Sequence, residues 1–210
     1  MKIFEKVSIC GLGLIGASLG LAIKERKLAE LVVGIVRRRE VIKKAIEKGV
    51  VDIATENISE GLKDVDLFIV CTPVESIVEI VKNSLPYLKK GCIITDVGST
   101  KYKIVREIEK IIKEDISFIG GHPIAVSEKT GMDFENSNIF ENYYYILTPN
   151  KKYKKSSLLK LKRFVRRIGA KPLIISPSEH DFFLSFTSHL PHLLAFSLVN
   201  TLSEEKNWEK

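Results

Sequence analysis

Cysteine is scarce in this chain: Cys10, Cys71 and Cys92 are the only three in 210 residues. They are odd in number, far apart and set in apolar runs, and no Cys-x-x-Cys pair occurs. That excludes a disulfide framework and offers no zinc-site spacing. Buried thiols in a reducing compartment are the expectation, and with them a soluble, cytoplasmic protein. No apolar stretch approaches the roughly eighteen residues of a membrane span. The opening segment Met1-Lys2-Ile3-Phe4-Glu5-Lys6-Val7 has no signal-peptide pattern. No membrane partner is therefore expected. There is also no internal repeat and no low-complexity linker.

What is present reads as globular: 45% of residues are hydrophobic and 28% charged. A chain of this length buries a sizeable core without disulfides or metals. The formal charge of +7 comes from 33 basic and 26 acidic residues, but it is unevenly spread. Ten Lys and Arg fall between Lys151 and Lys171 with no acid among them, leaving 23 basic against 26 acidic elsewhere. Leu158, Leu161, Phe164, Val165 and Ile168 recur there at helical spacing, so the block reads as an amphipathic helix with a solvated basic face. No aromatic residues interleave with the charges as stacking platforms, so no nucleic-acid partner is expected.

The first half alternates between strand and helix patterns. Strands are expected over residues 3–10, 31–36, around Val51, 65–71, 91–96 and 116–119. Helices are expected over 14–27, 39–48, 74–88 and 100–113. Continuous apolar runs bounded by turn residues are what buried parallel strands look like. The fold class is therefore α/β, a doubly wound Rossmann-type sheet. Residues 121–142 form a long irregular stretch, of the kind that is functional or mobile. A strand over 143–148, the basic helix and a strand over 172–175 resume the pattern. Ser176, Pro177 and Glu179 then have the spacing of a capped helix start. From there to Glu205 the chain reads as one long apolar helix interrupted by Pro191. Residues 1–175 are expected to form the dinucleotide-binding domain and 176–210 the beginning of an all-helical domain.

Gly11-Leu12-Gly13-Leu14-Ile15-Gly16 is a GxGxxG turn. It directly follows an apolar strand and opens a helix, the context a dinucleotide fingerprint requires. Gly11 permits the tight turn, Gly13 admits the pyrophosphate, and Gly16 allows helix and strand to pack closely, while free amides face the anion. The second strand ends in Arg37-Arg38-Arg39, with no carboxylate where an NAD ribose would be bound. Guanidinium groups suit a 2′-phosphate, so Arg37 and Arg38 favour NADP; backbone contacts leave NAD possible. Thr72 and Pro73 end the fourth strand, where ligands meet an open parallel sheet. Ser99, after the fifth, either caps the next helix or aims a hydroxyl into the crevice.

All four histidines follow residue 120. His122, in Gly120-Gly121-His122-Pro123-Ile124-Ala125, is read as lying just past a strand end, well placed for general-base work. His189 and His192 are spaced to share a helix face, but no carboxylate or cysteine motif completes a metal site there, and none is expected. His180 is read as part of the helix start, with a structural role.

The glycine turn, Asp96-Val97-Gly98-Ser99-Thr100-Lys101, the GGHPIA segment with its following Glu128-Lys129, and Ser188-His189-Leu190-Pro191-His192 occur in the order seen in prephenate and arogenate dehydrogenases of tyrosine biosynthesis. The chain resembles that family from about residue 7 to about residue 200. The resemblance implies oxidation of a cyclohexadienol 4-hydroxyl with hydride transfer to NAD(P)+, loss of CO2 and aromatisation. It implies that His122 is the catalytic histidine and that Ser99 orients it. It places Ser127, Glu128, His189 and His192 around the substrate, and implies a homodimer through the helical domain. Val126 departs from the family's usual glycine. The helical domain is expected to be incomplete, because no residue matches the family's arginine for a substrate carboxylate. Two alternatives stay open: another Rossmann-fold NADP-dependent reductase of small keto or imino acids, and a non-catalytic NADP-binding fragment.

Overall fold

The computed structural model describes residues 2–125 and 131–204. The apolar runs pair into one eight-stranded sheet: β1 (Phe4–Cys10), β2 (Ala29–Ile35), β3 (Ile53–Thr55), β4 (Leu67–Val70), β5 (Ile93–Asp96), β6 (Ser117–Pro123), β7 (Tyr144–Pro149) and β8 (Lys171–Ile174). Their spatial order is β3-β2-β1-β4-β5-β6-β7-β8, parallel except where β7 runs against β6. The order reverses between β1 and β4, so the loops leaving these strands diverge and open a crevice at their carboxyl ends.

Helices α1 (Leu14–Glu25), α2 (Arg39–Glu47), α3 (Ile58–Leu62), α4 (Val74–Ser84), α5 (Tyr102–Ile111) and α6 (Lys155–Arg167) cover the sheet on both faces. One core holds Leu19 and Ile23 of α1 with Phe164 and Val165 of α6; the other holds Ile77 and Val81 of α4 with Ile108 of α5. The basic run thus puts its apolar side on Phe4, edge to face with Phe164 at 6.0 Å, and its cations outside.

Three local expectations are corrected. The strand near Val51 forms two residues later, because Val50 and Val51 are themselves buried in the core. The short α3 was not foreseen; Asn57 caps it, accepting from the Ser59 amide at 3.0 Å. Most important, β6 does not end at Ile119. It pairs with β5 only through Ser117 and Phe118, then runs on against β7, with His122 opposite Ile146. His122 therefore stands within a strand, and the irregular stretch begins after Pro123.

The helix start at Ser176 forms as read. The Ser176 hydroxyl accepts from the Glu179 amide at 3.2 Å and Glu179 accepts from the Ser176 amide at 2.8 Å. Helix α7 (Pro177–Leu184) continues through a widened π turn (Ser185–His189) into α8 (Leu190–Glu204). Pro191 does not break this run. Proline lacks an amide hydrogen and crowds the carbonyl four residues earlier, and the wider turn just before it absorbs both defects. The whole helix, Pro177–Glu204, spans 28 residues and is apolar enough by length and composition to cross a membrane. That corrects the expectation of no such segment, which the interspersed Ser, Thr and His residues concealed.

Candidate active site

The crevice is a cleft of about 990 Å³ bordered by Gly11, Leu12 and Gly13 on one side and by Cys71, Thr72 and Pro73 on the other. Each glycine of the turn meets a different physical demand. Gly11 has φ +92, and a Cβ there would stand 2.6 Å from the Cys71 carbonyl oxygen. A Cβ on Gly16 would overlap the Gly11 carbonyl oxygen, so α1 and β1 can approach only without it. A Cβ on Gly13 would meet nothing within 4 Å. That open space lies at the start of α1, where no side chain caps the first-turn amides. An uncapped helix start beside an open glycine is a ready seat for a phosphate, and the residues present fit a dinucleotide.

At the far end the cleft is lined by Arg37 and Arg38, both exposed, with Lys44, Glu56 and Asp133. Lys44 Nζ donates to Asp133 Oδ2 at 2.6 Å. Lys44 and Glu56 were not singled out in the sequence, because they reach this end from the middle of α2 and from beyond β3. Cys10 and Cys71 both line the cleft, Cys71 being the less buried by surface exposure; desolvation pushes the Cys71 thiol well above the ordinary range.

A second compartment of about 450 Å³ shares Gly13, Cys71, Thr72, Pro73 and Gly131 with the cleft and extends it past Leu14 and Ile15 to Val97, His122 and Ala125. The two spaces are thus continuous. His122 is half-buried and lines the second compartment. Its Nδ1 lies 2.9 Å from Nε2 of His180, whose own Nδ1 lies 2.7 Å from Asp181 Oδ1. His180 is fully buried, which corrects its reading as a residue of the helix start alone. Asp181 also accepts the Lys101 amide at 2.7 Å and the Tyr102 amide at 2.9 Å, capping α5 from a different helix. Burial pushes the His122 imidazolium down to about 3, helped by His180, Lys101 and His189 and opposed by Asp181. Burial also lowers His180, against Asp181. Asp181 itself is pushed up by burial, but hydrogen bonds from His180 and the two amides outweigh this and hold it below the carboxylate range.

A buried ion pair fixes the strand that carries His122. Asp96 and Lys101 are both wholly buried, and Lys101 Nζ donates to Asp96 Oδ2. The other oxygen of Asp96 accepts the Gly121 amide at 3.1 Å. This carboxylate thus binds β6 where the main chain of β5 no longer does. Gly120 and Gly121 are needed for the same fit: a Cβ on the first would overlap Thr148 Oγ1, and one on the second would stand 2.5 Å from the Asp96 carbonyl oxygen.

Of the residues expected at the site, Gly11, Leu12, Gly13, Leu14, Ile15, Arg37, Arg38, Thr72, Pro73 and His122 line the joined spaces, with Gly16 packed behind them. Ser99 does not join them. It is exposed, makes no hydrogen bond among the described residues and does not cap α5, whose first amides go to Asp181. The neighbour of His122 is His180 instead. His189 and His192 are exposed on the long helix, with His189 near enough for its charge to bear on His122. Ser127 and Glu128 lie outside the described residues. His180 and Asp181 were missed because His180 is 58 positions from His122 and no local spacing joins them.

Residues 19–174 match the family profile of the prephenate dehydrogenase nucleotide-binding domain, and residues 176–210 that of the prephenate dehydrogenase dimerization domain. The chain is 36% identical over 204 residues to the prephenate dehydrogenase of Bacillus subtilis (strain 168), covering 97% of this chain and 55% of that one. Among solved structures it resembles A. aeolicus prephenate dehydrogenase in complex with hydroxyphenyl propionate and NAD+, with TM-score 0.88 and 34% identity over 94% of this chain and 69% of that one. Synechocystis arogenate dehydrogenase follows at TM-score 0.86 and 32% identity, over 96% and 70%. The chain spans about half the length of the first curated relatives it matches.

Proposed function

The chain belongs to the prephenate dehydrogenase family, and from that membership we propose that it oxidatively decarboxylates prephenate or arogenate, with NADP+ favoured over NAD+. The observation that carries this reading is His122, lining the smaller compartment that is continuous with the dinucleotide cleft through Gly13, Thr72 and Pro73. The glycine turn and the start of α1 hold the pyrophosphate, Thr72 and Pro73 border the passage, and Arg37 and Arg38 meet the 2′-phosphate. Glu56, lining the same end, is the feature that would favour an NAD ribose. When bound, the nicotinamide supplies the hydride acceptor.

His122 takes the proton of the ring 4-hydroxyl at Nε2 as the hydrogen on the same carbon leaves as hydride. The bond from the ring to its carboxylate then breaks, its electron pair completes the aromatic ring, and CO2 departs. His122 returns its proton to the phenolate, so the residue ends as it began. Ser127 and Glu128 are assigned to the substrate's side-chain end, and His189 and His192 to the lining of the substrate site. Among the described residues the side chain hydrogen-bonded to His122 is His180, not Ser99. The exposed apolar helix is read as the interface of a homodimer and not as a membrane span, and the basic face of α6 as solvated and not a nucleic-acid site. Three free cysteines suit the reducing cytoplasm.

The test follows reduced-nicotinamide absorbance with NAD+ and NADP+ crossed against prephenate and arogenate, for the native chain and an R37A/R38A variant. Turnover with one pair identifies substrate and cofactor, and the variant should lose NADP+ far more than NAD+. Cofactor binding with no turnover on either substrate would reduce the chain to a nucleotide-binding module. Equal losses for both cofactors would overturn the 2′-phosphate assignment.

A further inference from the structure

A base must present a lone pair, and neutral imidazole has one bare nitrogen and one that carries hydrogen. Which nitrogen of His122 is bare is settled by what lies behind it. An ionised carboxylate only accepts, so the hydrogen between Asp181 Oδ1 and His180 Nδ1, 2.7 Å apart, sits on His180. Neutral His180 therefore has its lone pair on Nε2. That nitrogen faces His122 Nδ1 at 2.9 Å, and two lone pairs cannot meet at this distance. The hydrogen between the rings must then belong to His122 Nδ1, and Nε2 is left bare toward the compartment.

We propose that Asp181 and His180 are positioning residues, a carboxylate–imidazole relay that locks His122 in the one neutral tautomer able to take a proton from substrate. The alternative arrangement has His180 doubly protonated and donating to His122, whose Nε2 would then carry hydrogen and could not act as base. Full burial of His180 disfavours that cation, as does Lys101 at the start of α5. The other charged or titratable groups bearing on the pair are Asp96 from β5, Asp181 from α7 and His189 from the π turn. Once His122 holds the substrate proton, it donates to His180 as an imidazolium, and the ionised Asp181 at the end of the chain balances its charge. The geometry also binds two functions in one side chain. Asp181 caps α5 and orients His180, so the element carrying Lys101 and the catalytic ring are set by the same carboxylate.

This inference rests on His122 being the base, but its first test does not. Long-range proton–nitrogen correlation on the nitrogen-15-labelled 210-residue chain reads the tautomer of each histidine directly. His122 should show hydrogen on Nδ1 and a bare Nε2, and His180 the same pattern. Hydrogen on His122 Nε2 would overturn the relay whatever the chain catalyses. The second test compares His180→Gln, whose amide oxygen can still accept from His122 Nδ1, with His180→Phe, which cannot. Phe should lower kcat by roughly the 10²–10⁴-fold of a lost general base, with cofactor affinity unchanged. Gln should restore most of that loss, and the His122 tautomer signal should follow the same order. Equal kcat for Phe and native would overturn the relay. The expected tautomers in a chain that turns over neither substrate would leave the relay standing and remove the dehydrogenase reading instead.

Discussion

His122 joins two properties that pull against each other. In the proposed reaction it must accept a proton, yet burial, with His180 and Lys101 beside it, holds its imidazolium down to about 3. A base so weak in the free chain works only where the hydroxyl that gives it the proton stands on a carbon losing hydride, which acidifies that hydroxyl as the reaction proceeds. His122→Asn should leave NADP+ affinity nearly intact and lower kcat by roughly 10²–10⁴-fold; an unchanged kcat would remove it from the mechanism. The same depressed value has a consequence for stability. Unfolded histidine titrates near 6.5, so below that pH the unfolded chain binds a proton that native His122 refuses. Its stabilising effect is therefore complete above about pH 6.5 and is lost as pH falls toward about 3. His180, also lowered, adds in the same direction. Denaturant midpoints measured across this range should fall with pH, and the fall should be shallower in His122→Asn.

The turn after β1 shows how little one element tolerates at some positions and how much at others. Gly13→Ala adds a methyl group into open space, so the fold should keep its melting temperature while cofactor affinity collapses, because the phosphate needs that space. Gly16→Ala drives a methyl group into the Gly11 carbonyl, and overpacking of this kind costs about 1–3 kcal/mol. Melting curves and cofactor titrations on the two variants should separate them; a destabilised Gly13→Ala would contradict the open-space account. This turn was legible in the sequence because its signals are local: an apolar strand, three glycines, a helix. The extension of β6 was not. Its register depends on β7, more than twenty residues later, and on the Asp96 carboxylate replacing main-chain pairing at Gly121. The relay was hidden for the same reason, since His180 meets His122 only after α7 has packed against the sheet. The cap of α5 could not be read locally, because Ser99 is the near candidate and Asp181, the residue that supplies it, is distant in sequence. Local periodicity and turn chemistry thus disclosed most elements and the cleft beside the glycine turn, while the groups that bear on the His122 ring required tertiary contacts.

The long C-terminal helix poses the question of what covers it. At 1.5 Å per residue its 28 residues extend about 42 Å, and Leu193, Leu194, Phe196, Leu198 and Val199 are each 62–64% exposed. Apolar surface of this extent is not left in water by a stable soluble protein, and the match of residues 176–210 to a dimerization domain favours a second copy over a bilayer. The same rod carries His180 and Asp181 near its start, so whatever clamps α8 also steadies α7 and, through it, the ring beside His122. Sedimentation should therefore show a dimer, and Leu194→Glu with Phe196→Glu should convert it to monomer without touching the cofactor cleft. The variant should bind NADP+ as the native chain does, yet lose turnover in step with the loss of dimer. A native chain that sediments as a monomer and floats with lipid vesicles would instead assign the helix to a membrane surface. A monomeric variant with full turnover would uncouple the helix from the site.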